Sequence, residues 1–205
     1  ADMMLKLAAK FVAISMLALP LVACFDGTIE VAVTSATTAR IEALQVINAD
    51  TYGMLKRADE DADYSALDEF CTVGDLTETE DGGATCTVVR EGSFTTLRNF
   101  NGTSGDLTFE PAGNGLVRVS MSTKGLRDMA GAKVEMTVDG ETREMAEAYF
   151  AGHTMTIRIG GGAVTDTNLT LSKDKESAEV VYPLLDLVTG KAELPQEFYA
   201  VVRLP

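Results

Sequence analysis

The three cysteine thiols have the most distinctive chemistry of any side chains in this 205-residue chain. A thiolate can form a thioether, a disulfide or a bond to a metal ion, and its surroundings decide which of these it does. Cys24 directly follows an apolar stretch, whereas Cys71 and Cys86 lie in a polar part of the sequence. The first cysteine and the other two are therefore expected to have different roles.

The segment before Cys24 has the parts of a secretory signal. Lys6 and Lys10 form a positive region, Phe11 to Leu19 is an apolar run, and small residues precede the cysteine. The apolar run is too short to span a bilayer, which takes about 20 apolar residues. The pattern therefore predicts an exported protein whose membrane attachment would have to come from a lipid.

The tetrapeptide Leu21-Val22-Ala23-Cys24 resembles the lipobox at which bacterial lipoprotein precursors are cut and lipidated. The resemblance implies cleavage before Cys24 and lipidation of its sulfur. Residues 1–23 would then be a signal peptide, and residues 24–205 a single domain facing the periplasm. The alternative is that Cys24 is buried or disulfide-bonded after an ordinary signal peptide.

With Cys24 assigned to the lipid, Cys71 and Cys86 form an even pair in an oxidising compartment. Between them lies Asp81-Gly82-Gly83, a turn signal that lets the chain double back. A disulfide that closes a loop of this length stabilises a protein by about 3 kcal/mol. A redox or metal role is disfavoured, because the chain has no C-x-x-C motif and a single histidine.

The acidic run Asp59, Asp61, Asp63 imitates the start of a calcium-binding loop, which needs oxygen ligands at alternate positions. Such a loop requires glycine at its sixth position and glutamate at its twelfth, and this chain has Tyr64 and Phe70 there. We therefore expect a solvated acidic linker and no metal site.

Three further motifs lack the residues that their chemistry needs. His153 has no recognisable nucleophile motif around it and is interpreted as a strand-edge histidine. Ser172-Lys173-Asp174-Lys175 matches S-x-x-K, but it lies in a charged turn without the companion motifs. Gly160-Gly161-Gly162 is not followed by the Lys-Ser/Thr of a phosphate-binding loop and predicts a bulge or a crossing. We therefore expect no enzyme activity, no catalytic residue and no cofactor.

The formal net charge of −14 excludes some classes of partner. Nucleic acids and anionic lipid headgroups are bound by basic patches, which an acidic chain of this kind does not favour. Solubility and self-repulsion explain the charge better than an acidic recognition surface does.

Alternation of apolar and polar residues, with frequent turn signals, predicts a mainly antiparallel sheet. The predicted strands are Gly27 to Thr38, Ala39 to about Val46, Thr85 to Val89, Asp106 to Glu110, Leu116 to Met121, Val134 to Val138, Glu141 to Glu144, Thr154 to Ile159, Asn168 to Leu171, Ala178 to Tyr182 and Phe198 to Leu204. The predicted helices are Asn48 to Arg57, Tyr64 to Phe70, Phe94 to Leu97, Thr123 to Ala132 and Met145 to Phe150, with Ala58 to Asp63 as a linker. Asn48 or Asp50 is expected to cap the first of these helices. Ala39 to Ile47 also fits the first turns of a helix. The fold class is therefore α+β, with a few short helices packed on one side of the sheet.

The order of these elements resembles that of the LppM-type lipoproteins of bacterial envelopes. The resemblance depends on the two-strand start after Cys24, on Gly92-Ser93-Phe94 and on the strand pair from Ile157 to Leu171. An aromatic residue that this family often has near its last strands is here Tyr182 rather than tryptophan. The family is associated with lipid binding, so the resemblance implies a lipid ligand.

The sequence therefore predicts a lipid-anchored, non-catalytic protein of the bacterial cell envelope. Phe25, rather than aspartate, follows the cysteine, which under the usual sorting rule implies the outer membrane. The first functional hypothesis is binding of a lipid or other apolar envelope component in a cleft between helices and sheet. The alternative is a structural adaptor in an envelope protein complex.

Overall fold

The computed structural model describes residues 25–61, 66–98, 107–131, 144, 147–148 and 150–204. This part of the chain contains the strands β1 (Phe25–Val33), β2 (Thr38–Ile47), β3 (Asp75–Glu78), β4 (Ala84–Ser93), β5 (Leu107–Pro111), β6 (Leu116–Ser122), β7 (Thr154–Gly160), β8 (Val164–Thr167), β9 (Thr170–Leu171), β10 (Ser177–Pro183) and β11 (Glu197–Arg203). It also contains the helices α1 (Ala49–Asp61), α2 (Ala66–Phe70), α3 (Phe94–Leu97), α4 (Lys124–Gly131) and α5 (Leu184–Thr189).

The strands form two sheets. The larger has seven strands in the order β3-β4-β2-β1-β7-β10-β9, and the smaller has four in the order β5-β6-β11-β8. All pairings are antiparallel except that of β1 with β7, which is parallel. The predicted α+β class with mainly antiparallel strands is confirmed, and the parallel pair at the centre of the larger sheet adds to it.

The larger sheet is apolar on one face because its apolar residues alternate in register. Ile29 and Val31 of β1 lie beside Ile157 and Ile159 of β7, and Val31 also pairs with Ile41 of β2. All five are buried, while their chain neighbours point to the opposite face. We call the buried side the covered face and the opposite side the open face.

The smaller sheet packs on part of the covered face. Phe109, Val119, Phe198 and Val202 of the smaller sheet belong to the same buried cluster as Ile157 and other residues of the larger sheet. Side chains of α3, α4 and α5 also pack against this cluster. The described helices therefore lie on the same side of the larger sheet, as predicted, but the second sheet on that side was not predicted.

A second, smaller cluster covers another part of this face. Tyr52 and Leu55 of α1 and Phe70 of α2 pack on Ile47 and Ala84 of the sheet. Each of these five side chains is less than 9% exposed. The space between these helices and the sheet is therefore filled by packed side chains.

The three consecutive glycines form the crossing between the two sheets. They link β7 of the larger sheet to β8 of the smaller one. Gly161 has φ of +102°, and a β-carbon on it would lie 2.2 Å from the carbonyl oxygen of Val33. A β-carbon on Gly162 would lie 2.1 Å from the carbonyl oxygen of Arg203. Close contact between backbones therefore requires glycine here, and the predicted crossing is confirmed.

The main differences from the sequence-based prediction are local. The predicted linker Ala58 to Asp63 is helical as far as Asp61, because alanine and glutamate favour helix and no glycine or proline interrupts them. The short strand β3 and the helix α5 were not predicted. The strand pair expected around Asp139-Gly140 lies outside the described residues, as does part of the helix expected from Met145 to Phe150.

Candidate functional site

Cys24, the predicted lipidation site, lies outside the described residues, but its chain neighbour is the first residue of the central strand β1. Phe25 pairs with Ile47 of β2, and Gly27 pairs with Gln45 on one side and Met155 on the other. The strand that follows Cys24 is therefore held by two neighbouring strands almost from its first residue.

Asp26 and His153 form the polar group closest to this start. The Asp26 carboxylate accepts a hydrogen bond from the backbone N–H of Thr154 at 2.8 Å. The same oxygen lies 3.5 Å from His153 Nδ1, which is shielded from solvent and has no hydrogen-bond partner. His153 directly precedes β7, where a strand-edge histidine was predicted, and the carboxylate beside it was not foreseen from the sequence.

Cys71 and Cys86 form a disulfide, as predicted. Their sulfur atoms are 2.04 Å apart and their α-carbons 5.6 Å apart. Cys71 directly follows α2 and Cys86 lies in β4, so the bond holds the helix against the sheet at the second cluster. Gly74 makes this approach possible, because a β-carbon there would lie 2.7 Å from the carbonyl oxygen of Thr87.

The open face of the larger sheet carries two arginines, each between two glutamates. Arg158 donates to Glu179 at 2.8 Å and to Glu30 at 2.9 Å, across three neighbouring strands. The bonds to Glu179 and then to Glu30 raise the pKa of the Arg158 guanidinium above its ordinary value. In the same way Arg40 contacts Glu42 at 2.7 Å and Glu91 at 3.1 Å.

These ion pairs are partly exposed, so each contributes at most about 1 kcal/mol to stability. Their clearer effect is on strand pairing, since opposite charges favour one cross-strand register over its alternatives. The glutamates accept hydrogen bonds from guanidinium groups, so the arrangement is that of structural ion pairs. In the sequence, Arg158, Glu30 and Glu179 each lie between two apolar residues, whereas their pairing depends on the order of the strands.

The outer face of the smaller sheet has a similar group. Arg118 pairs with Glu197 at 2.6 Å and lies 4.3 Å from the ring centre of Tyr199. Arg118 also donates to the Ser120 hydroxyl at 2.6 Å. The Arg118 guanidinium is thus engaged by both a carboxylate and an aromatic ring of the neighbouring strand β11, so this group also stabilises strand pairing.

The S-x-x-K match is a tight turn, as expected. The Ser172 hydroxyl donates to Asp174 at 2.6 Å, and the same carboxylate oxygen accepts from the backbone of Glu176 at 3.0 Å. These bonds lower the pKa of Asp174, with that from Ser172 contributing most. Lys175 has φ of +61°, as a tight turn requires. Its side chain is exposed, so its ammonium is solvated.

The acidic run differs from a calcium loop in its backbone. Asp59 and Asp61 lie in α1, and the Asp59 carboxylate accepts from the backbone N–H of Leu67 in α2 at 3.2 Å. Across the described ranges, no group of three or more histidine, cysteine, aspartate or glutamate side chains is arranged to hold a metal ion.

Tyr182 lies at the end of β10, against the core. Its ring is 6.0 Å from that of Phe198, and its hydroxyl donates to the carbonyl oxygen of Glu193 at 3.3 Å. Partial burial raises the pKa of Tyr182. The Tyr182 side chain therefore links the larger sheet to the smaller one.

Among the described helices none is long and apolar enough to cross a membrane. No protein-family model matches the chain. No curated protein matches it either. Among solved structures, the folded domain of the Mycobacterium tuberculosis LppM protein, determined by NMR, is similar in its arrangement. The similarity covers 89% of this chain and 91% of that domain, with 10% sequence identity and a TM-score of 0.45.

Proposed function

We propose that this chain is a lipid-anchored, non-catalytic protein of the bacterial cell envelope that binds another envelope component. The observation that supports this proposal most directly is the distribution of the three cysteine thiols. Cys71 and Cys86 are joined to each other. Cys24 remains, at the end of an apolar segment and directly before the central strand. A thiol in this position is the one that lipidation requires.

The polar groups described above support the non-catalytic part of the proposal. The arginine–glutamate pairs on both sheets and the turn at Ser172 are each engaged in local structural bonds. General acid–base or nucleophilic catalysis needs such groups to be turned toward a substrate.

Labelling with radioactive palmitate tests the anchor. Cells that express the full chain should yield a labelled protein, and the Cys24→Ala variant should yield none. Cys71→Ala is the control, because it removes a thiol that is not expected to carry lipid. Equal labelling of the Cys24→Ala variant would contradict the anchor.

The first candidate ligand is a lipid or another apolar component. It is favoured by a strip of partly exposed apolar surface on the covered face, which we call the seam. Ala43 of β2 packs against the larger cluster, while Val88, its register partner on β4, packs against the smaller one. Both side chains are only half-buried, so apolar surface remains at the boundary between the two clusters. An acyl chain is the kind of group that such a surface favours.

Mass spectrometry of an organic extract of the purified protein tests this ligand. We expect a lipid in roughly equimolar amount, reduced at least several-fold in a Val88→Phe variant that fills the seam. The matched control is Val181→Phe, which adds the same volume on the open face. Extracts that repeatedly contain no lipid would contradict the candidate.

A role as a structural adaptor is the second candidate, and the open face favours it. Neither buried cluster contains a described side chain of this face. Val89 and Val181 on it are 38% and 49% exposed. A photo-crosslinking residue at Val181 should capture a protein, whereas one at Glu110 on the smaller sheet should not. Capture at both positions, or at neither, would contradict a specific role of the open face.

A further inference from the structure

We infer that the anchor holds the larger sheet end-on against the bilayer, with one particular end of its strands facing the lipid headgroups. This inference depends on the lipid anchor proposed above. We call that end the anchor end. It consists of the start of β1, the start of β7, the end of β10, the start of α1 and the turn Thr79–Gly83.

Cys24 directly precedes the first residue of β1, so no spacer separates the lipid from the fold. Cys24 is one residue from Phe25, so their α-carbons are about 3.8 Å apart. Phe25 is already in register with Ile47 of β2. Asp26 is tied to β7 by its bond to the backbone of Thr154. A lipid on Cys24 therefore has no flexible chain that would let the domain move away from the bilayer.

The strand register brings the other elements of the anchor end to the same side of the domain. Ile47, which pairs with Phe25, also pairs with Ala84 at the start of β4. The turn before β4 adjoins α1, since a β-carbon on Gly82 would lie 3.5 Å from that of Ala49. The surface beside the anchor is therefore built from several elements rather than from one exposed strand.

The opposite end of the sheet lies far from the bilayer in this orientation. Strand β2 has ten residues and leads from the turn at Ala36 to the anchor end. At about 3.4 Å per residue, the two ends are about 30 Å apart. The open face then stands roughly perpendicular to the membrane, where a lateral partner can reach it.

The charge of the anchor end predicts how the contact depends on lipid. In the described ranges 25–28, 46–51, 78–84, 150–155 and 181–185, the acidic residues are Asp26, Asp50, Glu78, Glu80 and Asp81. The same ranges contain no lysine or arginine. Attraction to anionic headgroups therefore does not hold this end, and the lipid must. The short connection from Cys24 to β1 should therefore keep this end at the bilayer on neutral and on anionic lipid.

Fluorescence quenching in vesicles tests the orientation. The full lipidated chain carries a fluorophore on a Glu80→Cys variant, at the anchor end, or on an Ala36→Cys variant, at the far end. Both positions are exposed. The vesicles are phosphatidylcholine with a spin label on a fraction of the headgroups. Quenching should be at least several-fold greater at position 80, and the same difference should appear on vesicles that also contain phosphatidylglycerol.

A spacer variant is the control. About fifteen glycine and serine residues between Cys24 and Phe25 span roughly 20 Å, so the difference between the two probes should largely disappear. Equal quenching at both positions of the original chain, or a difference that survives the spacer, would overturn the orientation. The anchor proposal is judged separately, by palmitate labelling and by whether the Cys24→Ala chain floats with the vesicles as well as the unchanged chain does.

Discussion

At the residue scale, backbone contacts and local hydrogen bonds decide which side chains this fold tolerates. Gly161 is the clearest case, because its conformation and its surroundings both exclude a side chain. Asp81 is a second case. Its carboxylate accepts from the Thr79 hydroxyl and from the backbone N–H of Gly83, and so closes the turn beside the anchor end.

The Gly161→Ala substitution should lower the free energy of unfolding by about 3 kcal/mol, from a left-handed conformation together with a clash against the Val33 backbone. Gly115→Ala is the matched control, since Gly115 has φ of +69° but nothing within 4 Å of a β-carbon. It should lose only about 1 kcal/mol. Urea denaturation measures the free energy of unfolding of both variants. Equal losses would contradict a destabilising clash at position 161.

The Asp81→Asn substitution should destabilise the protein at neutral pH but not in acid. The bond from Thr79, followed by that from Gly83, lowers the pKa of Asp81 below its ordinary value of 3.8. The ionised form therefore stabilises the fold above about pH 4, and this contribution disappears as the pH falls through the folded-state pKa. Denaturation midpoints of variant and unchanged protein should converge in acid. A gap that is constant from neutral pH to acid would contradict the role of the charge.

At the scale of elements, the helices α1 and α2 are attached to the sheet by a cap, a small apolar cluster and a covalent bond. The Asn48 side chain accepts from the backbone N–H of Thr51 at 2.9 Å, which caps the start of α1 as the sequence predicted. The cluster beneath contains few residues, so the disulfide supplies much of the attachment. We expect this region to depend on oxidation more than the sheet–sheet core does.

Replacing both Cys71 and Cys86 by serine should reduce the free energy of unfolding by about 3 kcal/mol, because the unfolded chain loses a cross-link between residues 15 apart. Denaturant unfolding with and without a reducing agent measures the effect. The reducing agent should destabilise the unchanged protein and have no effect on the double variant. If alkylation without reduction labels both cysteines of the unchanged protein, the bond is absent.

At the scale of the whole molecule, the two sheets depend on each other for their apolar faces. Phe198 of the smaller sheet is 1% exposed and belongs to the same cluster as Ile157 of the larger. Residues of the open face have no such partner in the described structure. Substitutions among the side chains that fill the covered face should therefore destabilise the protein much more than substitutions on the open face.

Truncating Phe198 to alanine should cost about 3 to 5 kcal/mol, the usual range for a buried phenylalanine. Val181→Ala, on the open face, should cost less than about 1 kcal/mol. Denaturation curves of the two variants measure the contrast. Comparable losses would mean that the open face is as well covered as the core, and that the adaptor surface proposed above is not available.

Properties that depend on neighbouring residues could be predicted from the amino-acid sequence. The alternation of apolar and polar residues predicted a mainly antiparallel sheet, and Asn48 was one of two predicted helix caps. The cysteine count predicted the pairing of Cys71 with Cys86. Each of these follows from local patterns or from counting, because periodicity, capping and turn chemistry act over a few positions.

The pairing of strands that are distant in the sequence could not be predicted and is seen only in the fold. The parallel pairing of β1 with β7 brings Asp26 to Thr154, and no local pattern specifies a contact between residues so far apart in sequence. The division of the strands into two sheets depends likewise on burying two apolar faces together. The same pairing fixes the first residues after Cys24 at one end of the sheet. The thiol could be identified from the sequence. The surface beside it could not, because it is built from strands that lie far apart in the sequence.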